Sequence, residues 1–267
     1  MNFNSQIWSY KLLILKLLAR IFEKLQVSSV SAGQMGTFDG EEFIFIDEYI
    51  RNFPQTTINV LDIGANVGDW ALKFLSVEKA IGLKQSNLLC VEPIPLFYDI
   101  LKSRTESHDN ITCQNLAIAD VGGVLQIAEI GGGGTAFVDG NRTNRKLVTW
   151  HSIKSITGDD FLVKNRFKPD YIKIDTDGYD FSVMKSLVGY ITDTTPWIQF
   201  EFTHRFAEKA GYTLKEVIQW LASLEYQVYV IDKYGDLQKV RIPRLEVLNH
   251  QTKNFIAIPK LGLYYKR

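Results

Sequence analysis

The chain has little of what marks a secreted, membrane-spanning or nucleic-acid-coating protein. Cysteine is nearly absent, with only Cys90 and Cys113 among 267 residues. Each lies in an apolar stretch, which argues against a disulfide framework and for buried thiols in a reducing, cytoplasmic compartment; a metal or nucleophile role is the alternative. No charge sign is in excess, since Lys plus Arg and Asp plus Glu each number 30. A global basic field for nucleic-acid binding is therefore not expected, and at most a local patch remains. No uninterrupted apolar run approaches the roughly 18 to 20 residues that cross a bilayer. A short apolar core followed by a small-residue cleavage site is also missing, so a secretory signal is not expected. Internal repeats, a low-complexity tail and a linker rich enough to mark a second domain are absent too.

What is present suits one α/β domain with a terminal addition: 46% of the residues are apolar, enough for a substantial core at this length. The addition is "IWSYKLLILKLLARIFEKL", Ile7 to Leu25, in which Lys11, Lys16, Arg20 and Lys24 interrupt the apolar residues. Trp8, Leu12, Leu15, Leu18, Phe22 and Leu25 fall at helical spacing, which predicts a basic amphipathic helix. Two uses fit it: packing on the domain or on a sister subunit, or peripheral attachment at the inner membrane surface. Residues 1–40 are thus read as this helix with its connector, and residues 41–267 as the domain.

Within the domain, apolar strand candidates lie at Asn59–Ile63, Leu88–Glu92, Ile111–Ile118, Val124–Ala128, Tyr171–Ile174, Trp197–Phe202, Gln227–Ile231 and Asn254–Ile258. Helical patterns run through Val67–Leu75, Leu96–Arg104, Asp180–Tyr190 and Leu214–Leu224. This alternation predicts a mainly parallel sheet with helices on both faces. The final two strands, joined through "DKYGD" with no helix between them, suit an antiparallel edge.

At the first strand-to-helix junction stands "VLDIGANVGDW", Val60 to Trp70. A tight joint without a ligand is one reading; a cradle for a nucleotide-like cofactor is the other, because doubly wound sheets bind ligands at the carboxyl ends of their strands. Gly64 lets the backbone turn without a Cβ, and Gly68 lets the helix start close to a ligand or strand. The order Asp62-x-Gly64-x-Asn66-x-Gly68 departs from the G-x-G-x-x-G spacing of dinucleotide sites. An acid two residues before the first glycine repels phosphate and suits an ammonium group. Glu92, at the end of "LLCVEP", stands where a carboxylate accepts a ribose diol, with Pro93 stopping the strand. A ribose on Glu92 and an amino-acid moiety near Asp62 and Gly64 together describe S-adenosylmethionine.

The ordered set "DIGANVG", "VEP", "NLAIADVGG" (Asn115 to Gly123) and "YIKIDTDGYDFSVMKSL" (Tyr171 to Leu187) closely resembles the FkbM-type S-adenosylmethionine-dependent methyltransferases. The likeness runs from about Phe38 to about Phe202 and weakens towards the C-terminus. It implies a class I methyltransferase (Rossmann-like) fold with a mainly parallel seven-stranded sheet. It also implies O-methyl transfer to sugars, glycans, glycolipids or secondary metabolites. S-adenosylmethionine would be held by Asp62, Gly64, Ala65, Asn66, Gly68, Glu92, Pro93, Ala117 and Asp175. The family usually shows Glu where this chain has Asp177 and an acid where it has Asp180; the charge is kept and one side chain is shortened.

The sulfonium methyl is already electrophilic, so the protein must align an acceptor oxygen, exclude water and assist loss of a hydroxyl proton. Asp175 and Asp177 end one strand, and Glu201 ends the next in "WIQFEFTH" with His204 three residues on. Neighbouring strand ends would bring these candidates into one cleft. Duller readings exist: Asp175 as a helix cap, Asp177-Gly178 as a turn pair, and His204 as a loop histidine, although Glu201 in an apolar strand calls for a partner. Asp175, Asp177, Glu201 and His204 would also suit magnesium or manganese in a metal-assisted variant. His108, His151 and His250 have no supporting neighbourhood in the sequence. "EIGGGGTAFVDGNRTNRKLVTWHS", Glu129 to Ser152, reads either as a hinge or as a mobile acceptor loop. In the second reading Thr135, Asn141 and Arg142 are polar contacts and Trp150 a sugar-stacking face. A dinucleotide oxidoreductase and a non-catalytic binding scaffold are the readings from other classes.

Overall fold

The computed structural model describes residues 57–80, 86–130, 133–135, 148–231, 237–241 and 253–260. The expected amphipathic helix, the boundary at residue 40, Asn141, Arg142 and His250 lie outside them. Among the described residues, no helix is long and apolar enough to cross a membrane.

The main sheet is built from β1 (Asn59–Ile63), β2 (Asn87–Val91), β3 (Ile111–Gln114), β8 (Tyr171–Ile174), β9 (Trp197–Phe202), β10 (Tyr226–Ile231), β11 (Leu237–Lys239) and β12 (Lys253–Pro259). Their order across the sheet is β11-β10-β12-β9-β8-β1-β2-β3. The pairs β3-β2, β2-β1, β1-β8 and β8-β9 are parallel, whereas β9-β12, β12-β10 and β10-β11 are antiparallel. Among the described residues the sheet thus has eight strands rather than seven, because the chain after "DKYGD" first adds the short outer strand β11 and only later returns as β12 between β10 and β9.

The central strands NVLDI and YIKI are almost entirely buried, as strands covered on both faces must be. Side chains alternate between two cores. Leu61, Ile63, Ile172, Ile174 and Phe200 cluster with Phe161 of α3 (Gly158–Asn165), Val183 and Met184 of α4 (Asp180–Ser186), and Leu214, Val217 and Leu221 of α7 (Leu214–Ser223). Val60, Leu88, Cys90, Tyr171 and Trp197 cluster with Trp70, Ala71 and Phe74 of α1 (Asp69–Ala80). Each large apolar side chain so buried contributes about 1.5–3 kcal/mol, which is what fixes the strand register.

Between β3 and β8 the chain builds a second sheet, which the sequence pattern does not announce. It comprises β4 (Ala117–Ile118), β5 (Gly123–Ile130), β6 (Gly133–Thr135) and β7 (Val148–Ile156), ordered β4-β7-β5-β6. The single strand expected over Ile111–Ile118 therefore divides between the two sheets. Ile127 and Ile153 of the second sheet cluster with Ala117 and with Ile94 and Phe97 at the start of α2 (Pro95–Thr105), and Val67 packs against them. The helix expected over Asp180–Tyr190 is likewise two: α4, then α5 (Val188–Thr194), separated at Leu187, whose φ of −104° and ψ of 10° are not helical.

Candidate functional site

The strand order reverses between β1 and β8, since β2 and β3 lie to one side of β1 and β8 and β9 to the other. Such a point opens a crevice beyond the carboxyl ends of the strands. The glycine turn lies there. Gly64 and Ala65 both donate to the Val91 carbonyl, at 2.9 and 3.0 Å. Gly64 has φ +78°, and a Cβ on it would stand 1.8 Å from the Asp175 carbonyl oxygen, so the position requires glycine for two independent reasons. Gly68, at φ +86°, plays a different part, because its missing Cβ makes room for Leu101 of α2, whose Cδ1 would be 2.7 Å away. It serves helix packing as much as a ligand.

Glu92 holds the turn from the β2 side. Its Oε2 accepts the Asn66 N–H and its Oε1 the Ile94 N–H, both at 2.8 Å, in a site where only 4% of the residue is exposed. Asn66 itself is left-handed at φ 48°, and its Oδ1 accepts the Val67 N–H at 2.7 Å. Burial pushes the Glu92 carboxyl up to about 7, against the pull of the Ile94 and Asn66 amides. Each oxygen keeps a second lone pair for a ligand. Pro93, half-buried beside it, and Glu92 are pinned through their carbonyls by Asn115 Nδ2, 2.9 Å from each. Ala117 is buried in β4 close behind.

On the other side of the turn, Asp62 is fully buried and lies beside Lys173 in the β1-β8 register. Lys173 Nζ stands 3.2 Å from Asp62 Oδ1 and 3.3 Å from Asp175 Oδ2, and donates to the Gly64 carbonyl at 3.0 Å. Burial raises the Asp62 carboxyl and Lys173 opposes the rise. Neither oxygen of Asp62 has a hydrogen-bond partner among the described residues, although buried polar atoms almost always have one. Sequence reasoning misses Lys173. The signal is there: a lysine inside YIKI, between apolar residues of a strand buried on both faces, needs an anionic partner.

Beyond β8 and β9 lies a group of carboxylates. Asp177 occupies a left-handed turn at φ 50°, and Gly178 follows at φ +100°, where a Cβ would meet Phe206 Cβ at 2.5 Å. Asp180, only 2% exposed, accepts the Gly178 N–H at 3.2 Å and the Thr176 hydroxyl at 3.1 Å with Oδ2, while its Oδ1 has no partner among the described residues. Glu201 Oε2 accepts the Thr203 hydroxyl at 3.3 Å. Burial and then the neighbouring Asp175, Asp180 and Asp177 push Glu201 up to about 8. Burial and then Asp175 raise both Asp177 and Asp180 to about 7. A carboxylate that binds its proton this firmly is matched to accepting one near neutral pH.

The structure therefore brings Asp62, Gly64, Ala65, Asn66, Glu92 and Asp175 around one turn, and sets Asp177 and Glu201 with Asp180 beside it. His204 does not sit in a loop: it is the exposed first residue of α6 (His204–Ala210). Among the described residues no group of three or more His, Cys, Asp or Glu side chains is placed to hold a metal ion. The magnesium or manganese alternative on Asp175, Asp177, Glu201 and His204 thus finds no donor set there, because Asp175 is turned to Lys173 and His204 to the surface.

The Glu129–Ser152 stretch, expected as a hinge or loop, is partly sheet: β5 runs to Ile130, Thr135 closes β6, and Trp150 lies exposed on β7. Two of its glycines pair as strand, Gly133 against Ile130 and Gly134 against Glu129. His151 gains a partner that the sequence hid, Glu129 Oε2 at 2.9 Å from its Nε2.

The family described as "Methyltransferase FkbM domain" matches residues 62–228, beginning at Asp62 and spanning the glycine turn, Glu92 and the carboxylate group. The chain belongs to the FkbM methyltransferase family. Among solved structures, this FkbM chain is similar to the methyltransferase FkbM of Methylobacillus flagellatus KT, with 16% identity over 75% of its own length, 43% of the other chain and a TM-score of 0.50. It thus spans less than half of that relative. The precorrin-6y C5,15-methyltransferase of Geobacter metallireducens GS-15 matches at 10% identity, 86% and 93% coverage and TM-score 0.45. The magnesium protoporphyrin IX methyltransferase of Synechocystis PCC 6803, solved with bound S-adenosylmethionine, matches at 9% identity, 86% coverage of each chain and TM-score 0.42. No curated protein matches the chain.

Proposed function

We propose that this FkbM methyltransferase transfers a methyl group from S-adenosylmethionine to a hydroxyl of a sugar, glycan, glycolipid or other secondary metabolite. The observation that carries the reading is the pairing of two unlike sites around one turn: a buried carboxyl group, Asp62, whose oxygens have no hydrogen-bond partner among the described residues, and the proton-binding carboxylate group of Asp177, Asp180 and Glu201. Residues present fit the cofactor. Asp62 would take its ammonium group and the remaining lone pairs of Glu92 its ribose hydroxyls, and the Gly64 turn leaves a cradle where a Cβ does not fit. The bound cofactor supplies an electrophilic methyl carbon on sulfur. The chain's part is to align the acceptor oxygen and to take its proton, a role that the raised Glu201 and Asp177 carboxyls support.

A dinucleotide is disfavoured because the buried Asp62 would face its pyrophosphate. Calorimetry on the full chain separates the readings: S-adenosylmethionine and S-adenosylhomocysteine are expected to bind and NAD is not. No binding of either sulfur nucleotide would leave an oxidoreductase or a scaffold, and the proposal would be abandoned.

The same carboxylates give a pH signature without any acceptor in hand. Unfolded carboxyls titrate near about 4, whereas Asp177 and Asp180 are raised to about 7 and Glu201 to about 8 in the folded chain. Raised acids favour the folded state while protonated, so their contribution is whole below about pH 4 and is lost as pH climbs through 7 to 8. The ligand-free protein is expected to melt several degrees lower at pH 8.5 than at pH 6, and Glu201→Gln to narrow that gap. A gap unchanged by the substitution would remove Glu201 from the raised group.

A further inference from the structure

Lys173 is 95% buried yet reaches three groups that belong to different parts of the site: the Asp62 carboxylate at the end of β1, the Gly64 carbonyl inside the turn, and the Asp175 carboxylate at the end of β8. An ammonium group in such a place is costly unless its partners are fixed, and by the same token it fixes them. Lys173 and Asp62 Oδ1 form a close ion pair at 3.2 Å, yet both oxygens of Asp62 are buried without a hydrogen-bond partner among the described residues.

Resting on the methyltransferase reading above, we propose that Lys173 is the positioning residue for the amino-acid end of the cofactor. It pairs with Asp62 and orients that carboxyl group towards the incoming ammonium group, while its bond to the Gly64 carbonyl holds the turn beside it. Lys173 itself carries a positive charge and so does not contact the cofactor's ammonium group; it acts through Asp62. The nucleoside end is held from β2 by Glu92, whose oxygens take the Asn66 and Ile94 N–H groups; the Lys173 charge pulls on that carboxyl less than those two amides do.

That division yields a test that a general structural role would fail. S-adenosylhomocysteine carries the amino-acid end, and 5′-methylthioadenosine lacks it. In calorimetry on the full chain, Lys173→Met is expected to weaken S-adenosylhomocysteine binding at least about tenfold, the size of one lost charge-assisted hydrogen bond, and to change methylthioadenosine binding by less than about twofold. Asp62→Asn should show the same pattern. The double variant, which removes both charges of the buried pair and so folds even where Lys173→Met alone does not, should bind S-adenosylhomocysteine no more weakly than Asp62→Asn. Equal losses for both nucleosides, a double variant weaker than Asp62→Asn, or unchanged binding in Lys173→Met while the wild type binds normally would each overturn the role of Lys173 alone. Absence of binding in the wild type would overturn it together with the proposed function.

Discussion

Glu92→Ala is expected to lower affinity for S-adenosylhomocysteine at least a hundredfold, about 2.7 kcal/mol. Two losses add. The truncated side chain no longer meets a ribose, and it orphans the Asn66 and Ile94 amides that now end on its two oxygens. Each buried donor left without a partner costs about 1–3 kcal/mol, so the variant should also unfold at lower denaturant concentration. Glu92→Gln separates the contributions, because its amide nitrogen cannot accept from either N–H; one of the two bonds must break, and an intermediate loss of about tenfold is expected. Wild-type affinity in Glu92→Ala would take this residue out of the cofactor site.

Gly64→Ala should be harsher still. The new Cβ would lie 1.8 Å from the Asp175 carbonyl oxygen, a backbone atom with no flexible end to swing aside. Its positive φ adds about 1–2 kcal/mol for an L side chain. Cofactor binding is expected to vanish at concentrations that saturate the wild type, with a lower melting temperature. Gly68→Ala provides the contrast, since the atom in its way is Leu101 Cδ1, which can rotate; it carries the φ cost but should retain measurable binding. A Gly64→Ala protein that binds and melts normally would mean that the turn is not built around a close approach of β1 and β8.

These expectations rest on parts of the molecule that the sequence shows to very different degrees. β1, β2, β8, β9, β10 and β12 are legible because well-buried strands become short apolar runs. The second sheet is legible only in β5, where a strand is expected at Val124–Ala128. β7, "VTWHSIKSI", is exposed or half-exposed at every position but Ile153, so its alternation is weak, and the glycine run before it reads as a break although two of those glycines pair as strand. α3 and α6, at eight and seven residues, are too short to show a period. Within the site, the acids and glycines that define the turn are readable from their spacing. Lys173 is overlooked, because single charges in strands usually face water, and Asp180 enters only as a family position although it is the most buried member of its group.

The register of β1 against β8 has one further consequence. Asp62 stands beside Lys173, and Val60 beside Tyr171, on one face; Leu61 beside Ile172, and Ile63 beside Ile174, on the other. A slip of one residue would drive the lysine ammonium in among Phe161, Met184 and Leu221 and lift an isoleucine into the turn. The hydrophobic core therefore proofreads the charges: a chain that has found its packing has also, in the same step, assembled its binding site.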